Sequence, residues 1–407
     1  MRAYERFLRY VVIDTRSDEE YADRTPSTDR QWELAKLLEA EMREMGLSEV
    51  YLDEHAYVYG AIPATPGYEE CRKIGFIAHI DLNSDFGEGG AKPQIIENYD
   101  GGDIVLGNGE RTIEAARFPH LARMKGKTII TTDGTTVLGA DDKAGVAEIL
   151  TMCEEVLHSG RPHGRIAVCF TPDEEIGHGA ALLDLERFGA ELAYTVDGSV
   201  PNEMEYETFN AAAADWEITG FSVHPGSAKN VMINAALVAM EINAMLPVGE
   251  TPRDTEGYEG FFHLTEMAGD VAYARLGYII RDHDEAKFNA RKELLRQIET
   301  AVNEKYGEGV AKLTVTDQYS NMATVIRRYP EVMDKARAAI QAVGLAPVSN
   351  PVRGGTDGAQ LSFRGLPCPN LGTGGYCYHG PYEHCVVEEM DTVVEILLNL
   401  VAEYVKK

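Results

Sequence analysis

Apolar and polar positions along the chain follow two rhythms. The first is helical: Tyr4, Phe7, Leu8, Val11 and Val12 form one apolar stripe, and Leu34, Leu38, Met42 and Met45 form another. The second stripe is punctuated at both ends, since Thr28 with Gln31 fits a capping box and Gly46 follows the last apolar position. An extended segment is expected from about residue 50 to 62. The second rhythm consists of short runs that are apolar almost throughout: Ile74-Gly75-Phe76-Ile77-Ala78, Val137-Leu138-Gly139-Ala140 with the two threonines before it, Ile166-Ala167-Val168-Cys169-Phe170, and Leu192-Ala193-Tyr194-Thr195-Val196. Such runs read as strands covered on both faces. A helix is expected over residues 146–158, another helical stretch after residue 177, and closing helices near 330–343 and 390–405. The alternation predicts an α/β domain with a mixed, largely parallel sheet.

The texture changes near Phe209. Strands are expected at 212–219, 261–267, 272–280 and 313–316, with helices at 230–246 and 284–306. The order β-α-β-β-α-β is that of a ferredoxin-like α+β unit, and 407 residues are too many for one ordinary core. The predicted organisation is therefore a discontinuous domain, residues 1–208 and 320–407, with residues 209–319 inserted into it. The stretch from Leu82 to Thr132 is turn-rich and expected to be irregular, a covering or functional excursion.

The strand ends carry the chemistry. His79-Ile80-Asp81, Asp141-Asp142, Thr171-Pro172-Asp173-Glu174-Glu175-Ile176-Gly177 and Asp197-Gly198 each follow an apolar run. Open α/β sheets collect their sites just outside the carboxyl ends of the strands. Period two puts His79 and Asp81 on one side of their strand. Crowded carboxylates repel unless a positive charge sits among them, and a divalent metal fits because it takes one acid as ligand and leaves its neighbour free to move protons. Imidazole plus carboxylate, with His379 added from Tyr378-His379-Gly380 and with no CxxC pair, is the donor chemistry of zinc or manganese in a hydrolytic site. Asp142 reads as the N-cap of the helix that follows, and Asp173 as structural. Gly372-Thr373-Gly374-Gly375 lacks the Lys-Ser/Thr of a phosphate loop, which excludes that kind of nucleotide site.

Composition narrows the partners. Sixty-six acids against 38 bases give a net charge of −28, which argues against nucleic acid and anionic membranes. No apolar run approaches the roughly 20 residues of a membrane span. The six cysteines show no metal-finger spacing, and Cys153 and Cys169 fall in apolar runs, as buried thiols of a reducing compartment would. The expected location is cytoplasmic.

In order along the chain, His79-Ile80-Asp81, Gly139-Ala140-Asp141-Asp142-Lys143-Ala144-Gly145, Thr171-Pro172-Asp173-Glu174-Glu175, Thr195-Val196-Asp197-Gly198 and Tyr378-His379-Gly380 resemble the M20 family of metallopeptidases. The phrases from Glu97 to Ile104, Gly257 to Phe261 and Arg353 to Gln360 look like its tripeptide-aminopeptidase branch. The resemblance implies two Zn2+ per subunit, with Co2+ or Mn2+ as substitutes. It assigns His79 and Asp197 to one metal, Glu175 and His379 to the other, and Asp141 to both. It makes Glu174 the general base that takes a proton from a metal-activated water, and Asp81 the acid that orients His79. It also implies that the peptide after Asp141 is cis, that the inserted domain is a lid and homodimer contact hinged near residues 208 and 320, and that His224 helps to stabilise the oxyanion. Arg281 and Arg353 are suited to a peptide's terminal carboxylate, since a planar guanidinium pairs with it bidentately. The substrates implied are short peptides. Alternatives are a dipeptidase, carboxypeptidase or N-acyl-amino-acid deacylase of the same architecture, or a non-catalytic peptide-binding protein.

Overall fold

The two-sided apolar runs become the middle of a seven-stranded sheet in the computed structural model, which describes residues 1–406. Its strand order is Ser48–Leu52, Val58–Ile62, Ile166–Thr171, Ile74–His79, Leu192–Gly198, Asn370–Gly372 and Met204–Glu205. The central pairings are parallel and the outer ones antiparallel, giving the mixed sheet that the pattern predicts. Alternate residues of one strand enter different cores. Ile74, Phe76 and Ala78 join the cluster built with the helices Ala3–Tyr10, Gln31–Met45, Ala140–Ser159, Pro330–Ala342 and Val387–Glu403. Ile77 joins a smaller cluster on the other face with Tyr57, Tyr59, Cys169 and Phe188. Burial on both faces leaves no position for a polar residue until the strand ends, which is where His79 stands.

Contacts divide the chain into two compact units. The first comprises Met1–Tyr206, Met322–Asn350 and the chain from Thr356 onward; the second comprises Glu207–Asn321 and Pro351–Gly355. The short segment 351–355, expected within the discontinuous domain, thus belongs to the second unit. That unit contains a four-stranded antiparallel sheet in the order Phe261–Gly269, Tyr273–Asp282, Asn210–Thr219, Ala311–Tyr319, with helices Ala235–Ala244 and Glu285–Tyr306. Numbered along the chain the order is 2-3-1-4, the ferredoxin-like arrangement. Trp216, Leu276, Ile280, Val238 and Leu295 lie in its core.

Several local readings change. Residues 135–139 are not a strand. Gly134 and Gly139 have φ of +85° and +83°, and the amides of Leu138 and Gly139 donate to the Glu383 carboxylate instead of to a sheet neighbour. The extended segment 50–62 is two strands. The helical stretch after the acidic turn is one short helix, Leu185–Phe188. The excursion 82–132 is less irregular than expected. Gln94–Ile96 and Ile129–Thr131 pair with each other, and His384–Val386 and Gly375–Tyr376 extend that sheet.

The capping box at Thr28 does not form. Thr28 donates to the Arg16 carbonyl, and the helix begins at Gln31 without a side-chain cap. Gln31 and Ser27 are used by Asp173, which is buried and held at φ +57°. Its carboxylate accepts from the Ser27 amide at 2.8 Å, the Ser27 hydroxyl at 2.6 Å and Gln31 Nε2 at 2.6 Å. Its own amide donates to Gln31 Oε1. This ties the turn before Glu174 to the start of the second helix. Replacing Asp173 with Ala strands these buried donors and is expected to cost about 3 kcal/mol. Asp173→Asn, which tolerates positive φ, should lose clearly less. Urea unfolding of the two variants checks both.

Candidate metal centre

The ends of three parallel strands and the start of one helix converge on His79. The helix is brought close because Gly145 abuts the Val196 carbonyl, where a Cβ would collide with backbone. Asp141 and Asp142 head this helix outside helical geometry, and the peptide between them is cis. Asp142 accepts from the Gly145 amide at 3.2 Å, as a cap does, and from the His79 amide at 3.2 Å. It therefore joins helix to strand.

Two sets of donors share one carboxylate. His79 Nε2 lies 2.8 Å from Asp141 Oδ1 and 3.6 Å from Asp197 Oδ1. His379 Nε2 lies 3.2 Å from Asp141 Oδ2 and 3.2 Å from Glu175 Oε2. In each triad, His79–Asp141–Asp197 and Asp141–Glu175–His379, one ligand atom per residue lies within 4.8 Å of the others. Asp141 thus offers one oxygen to each triad. His79 Nδ1 faces acceptors only, the Asp81 carbonyl at 3.1 Å and carboxylate at 3.3 Å, so Nδ1 keeps its hydrogen and Nε2 is the nitrogen that would turn its lone pair to a cation once its own proton is displaced. The buried Oε1 of Glu175 has no hydrogen-bond partner among the described residues. Paired oxygen–nitrogen donor sets around a shared carboxylate, with an unpartnered buried oxygen, fit two divalent cations.

The electrostatics agree. Burial, joined by Asp197, Asp357 and Glu175, raises the Glu174 carboxyl well above the usual range, with His79 opposing. Burial and Asp141 do the same to Asp197. Burial alone would lower His79, but Asp197, Asp141 and Asp81 outweigh it and hold the ring protonated. Hydrogen bonds to Asp141 and Glu175 push His379 up to about 11. Protons on both imidazoles therefore occupy the role that cations would take, and a cation must displace them.

The remaining residues position these ligands. Asp81, fully buried, accepts from the amides of Glu174 at 3.0 Å and Glu175 at 3.2 Å as well as facing His79. The Glu174 carboxyl itself makes no hydrogen bond or ion pair with the described residues. Three further contributors are not among the strand-end candidates. Glu383 accepts from the amides of Leu138, Gly139 and Asp141, at 2.6, 2.9 and 3.1 Å, and so fixes the shared ligand. Asn83 contacts both Glu175 and His379. Asp357 is buried beside Glu174 with one oxygen on the Thr171 hydroxyl, and burial pushes it up to about 7. For Glu383 the hint was an acid four residues past His379.

His224, Arg281 and Arg353 belong to the second unit. His224 is exposed, and its Nδ1 accepts from the Gly226 amide at 3.1 Å. Arg281 donates to the Ala212 and Ile280 carbonyls and lies over Tyr319. Arg353 donates to Gly257, Glu259 and Thr255 between the rings of Phe209 and Phe261.

Fold and donor set together define a class, an α/β protein whose strand ends present a histidine–carboxylate centre for divalent cations. The chain belongs to peptidase family M20/M25/M40, whose model matches residues 137–403. Over 406 residues, 99% of both chains, it is 49% identical to Peptidase T of Alkaliphilus oremlandii. Its fold is shared with the crystal structure of aminopeptidase PepT from Bacillus cereus, at a TM-score of 0.78 and 23% identity over 100% of this chain and 98% of that one. A tripeptidase from Staphylococcus aureus gives 0.76 and 22% over the same shares.

Withdrawing divalent cations with excess chelator is expected to lower the melting temperature, because the carboxylates around Asp141 then lack all positive charge but the two imidazolium protons. Asp141→Asn should abolish that chelator effect, since one change weakens both triads; differential scanning calorimetry of the two proteins with and without chelator is the check.

Proposed function

We propose that the protein is a metal-dependent aminopeptidase that releases the N-terminal residue from short peptides, tripeptides above all. It would work with two Zn2+ per subunit, for which Co2+ or Mn2+ can substitute. The observation that carries the reading is the pairing of a shared carboxylate, Asp141, with an unbonded neighbouring acid, Glu174. The names of the relatives, Peptidase T and tripeptidase, support the substrate class.

When bound, the metal pair would polarise the scissile carbonyl and lower the pKa of water towards about 7. Glu174, adjacent in the chain to Glu175 yet free of partners, takes the proton from the attacking water and delivers it to the leaving amine. Burial, joined by Asp197, Asp357 and Glu175, shifts its carboxyl upward, the direction in which a carboxylate becomes a better proton acceptor. Asp81 keeps this base and Glu175 in register through their amides and holds the His79 tautomer.

His224, Arg281 and Arg353 are proposed as substrate-binding residues. Among the described residues no carboxylate pairs with either guanidinium, which leaves both able to take a peptide's carboxyl end. The second unit is proposed as lid and as the contact of a homodimer, supported by exposed Phe221, Val231, Leu237 and Met240 on it. Free thiols at all six cysteines support a cytoplasmic location. No helix among the described residues is long and apolar enough to cross a membrane, and the net charge of −28 supports partners other than nucleic acid and anionic lipid.

A free tripeptide, its N-acetylated form and the matching dipeptide, each incubated with protein titrated with zinc, cobalt or manganese, discriminate the readings. Cleavage of the free tripeptide alone is expected, rising to two metals per chain. Preference for the acetylated peptide would make the protein a deacylase instead. Glu174→Gln should lower kcat by about 10²–10⁴-fold while metal content stays at the wild-type level.

A further inference from the structure

A second cluster of metal-ligand side chains lies in the first unit, outside the carboxylate centre. His120 sits in the turn Pro119–Met124, Cys377 follows the strand Gly375–Tyr376, and His384 opens the strand His384–Val386. Their ligand atoms, two imidazole nitrogens and a thiol sulfur, all lie within 4.8 Å of one another. The two Nε2 atoms lie 3.0 Å apart in rings whose planes are inclined by only 7°, and His120 Nε2–H donates to His384 Nε2.

The surroundings hold both imidazoles in place. His384 is fully buried, and its Nδ1 lies 2.8 Å from the Tyr382 carbonyl. A carbonyl only accepts, so Nδ1 carries the hydrogen and Nε2 presents a lone pair, the arrangement that carbonyl-oriented metal histidines use. His120 is held flat against Tyr376, with centroids 5.0 Å apart, and Tyr376 is anchored by its hydroxyl to Glu389 at 2.6 Å. Burial and the neighbouring His120 hold His384 down at about 4, so that ring is neutral at physiological pH. Each imidazole is thus held by groups other than the thiol. His120 and Cys377 are only half-buried, which leaves a route from solvent.

We propose that His120, Cys377 and His384 form a separate mononuclear site for a thiophilic divalent cation such as zinc, cadmium or cobalt. The two-nitrogen, one-sulfur set selects borderline or soft ions over magnesium or calcium. Three protein ligands leave a fourth position for water. Binding displaces the thiol proton to solvent, shifts the His120 hydrogen from Nε2 to Nδ1, and involves no change of oxidation state. Because Cys377 and His384 bracket residues 378–383, the ion ties together both ends of the loop that carries His379 and Glu383.

The test uses cobalt(II) added to the full-length, reduced protein. The carboxylate centre contains no sulfur, so a thiolate-to-cobalt charge-transfer band in the near ultraviolet reports this site alone. The band should saturate with one cobalt bound per chain beyond the two that the carboxylate centre takes up, vanish in Cys377→Ser, and need about tenfold or more cobalt in His384→Gln. It should persist in Asp141→Asn. A second readout needs no variant: zinc added to the wild-type protein should slow alkylation of Cys377 and leave that of half-buried Cys71 unchanged. No band in the wild type, a band that survives Cys377→Ser, or alkylation of Cys377 indifferent to zinc would each overturn the site. None of these outcomes bears on the proposed peptidase reaction, which draws on different residues.

Discussion

Asp141 is the constraint on which the site depends. One carboxylate faces His79 with one oxygen and His379 with the other, and the acids Asp197 and Glu175 complete the two sides. Without positive charge between them these groups repel, and in the protein alone the imidazoles supply it: burial works against ionised Asp141, yet hydrogen bonds from His379 and His79 hold it far below the usual carboxylate range. Because the same oxygens and nitrogens would bind cations, proton and metal occupancy are two ways of meeting one electrostatic demand.

Most of the surrounding structure aims these ligands. Asp81 reads the His79 ring on one side and two backbone amides on the other, so a single buried carboxylate sets both an imidazole tautomer and the direction of the Glu174–Glu175 turn. Asp173 pins that turn from the other side through Ser27 and Gln31. Glu383 does the same for Asp141 through three backbone amides. Acids that look alike in the chain therefore divide into those that would bind cations and those that hold backbone. What separates them is whether their oxygens already have donors.

The loop from Cys377 to His384 links two chemistries. Its middle presents His379 and Glu383 to the carboxylate centre, and its ends bring a thiol and an imidazole to His120. Cys377 and His379 both adopt positive φ, +58° and +61°, in this short span. Non-glycine residues in that region are uncommon and concentrate where a side chain must be aimed.

Periodicity and local chemistry, without coordinates, point to the two-sided strands, to a β-α-β-β-α-β stretch, and to His79, Asp81, Asp141, Glu174, Glu175 and Asp197 as the strand-end candidates. A side chain's burial on both faces is written into every position of a strand, so those runs are legible one residue at a time. Tertiary structure decided what depends on distant partners. Residues 135–139 look like a strand, but their amides go to Glu383, about 240 positions away. Gln31 looks like a capping residue, but binds Asp173 across 142 positions. Asp357 and Asn83 gave no sign of their places, and neither did the meeting of His120 with Cys377 and His384. Hydrogen bonds between a side chain and remote backbone leave no periodic trace, because they depend on where two segments meet and not on the spacing within either one.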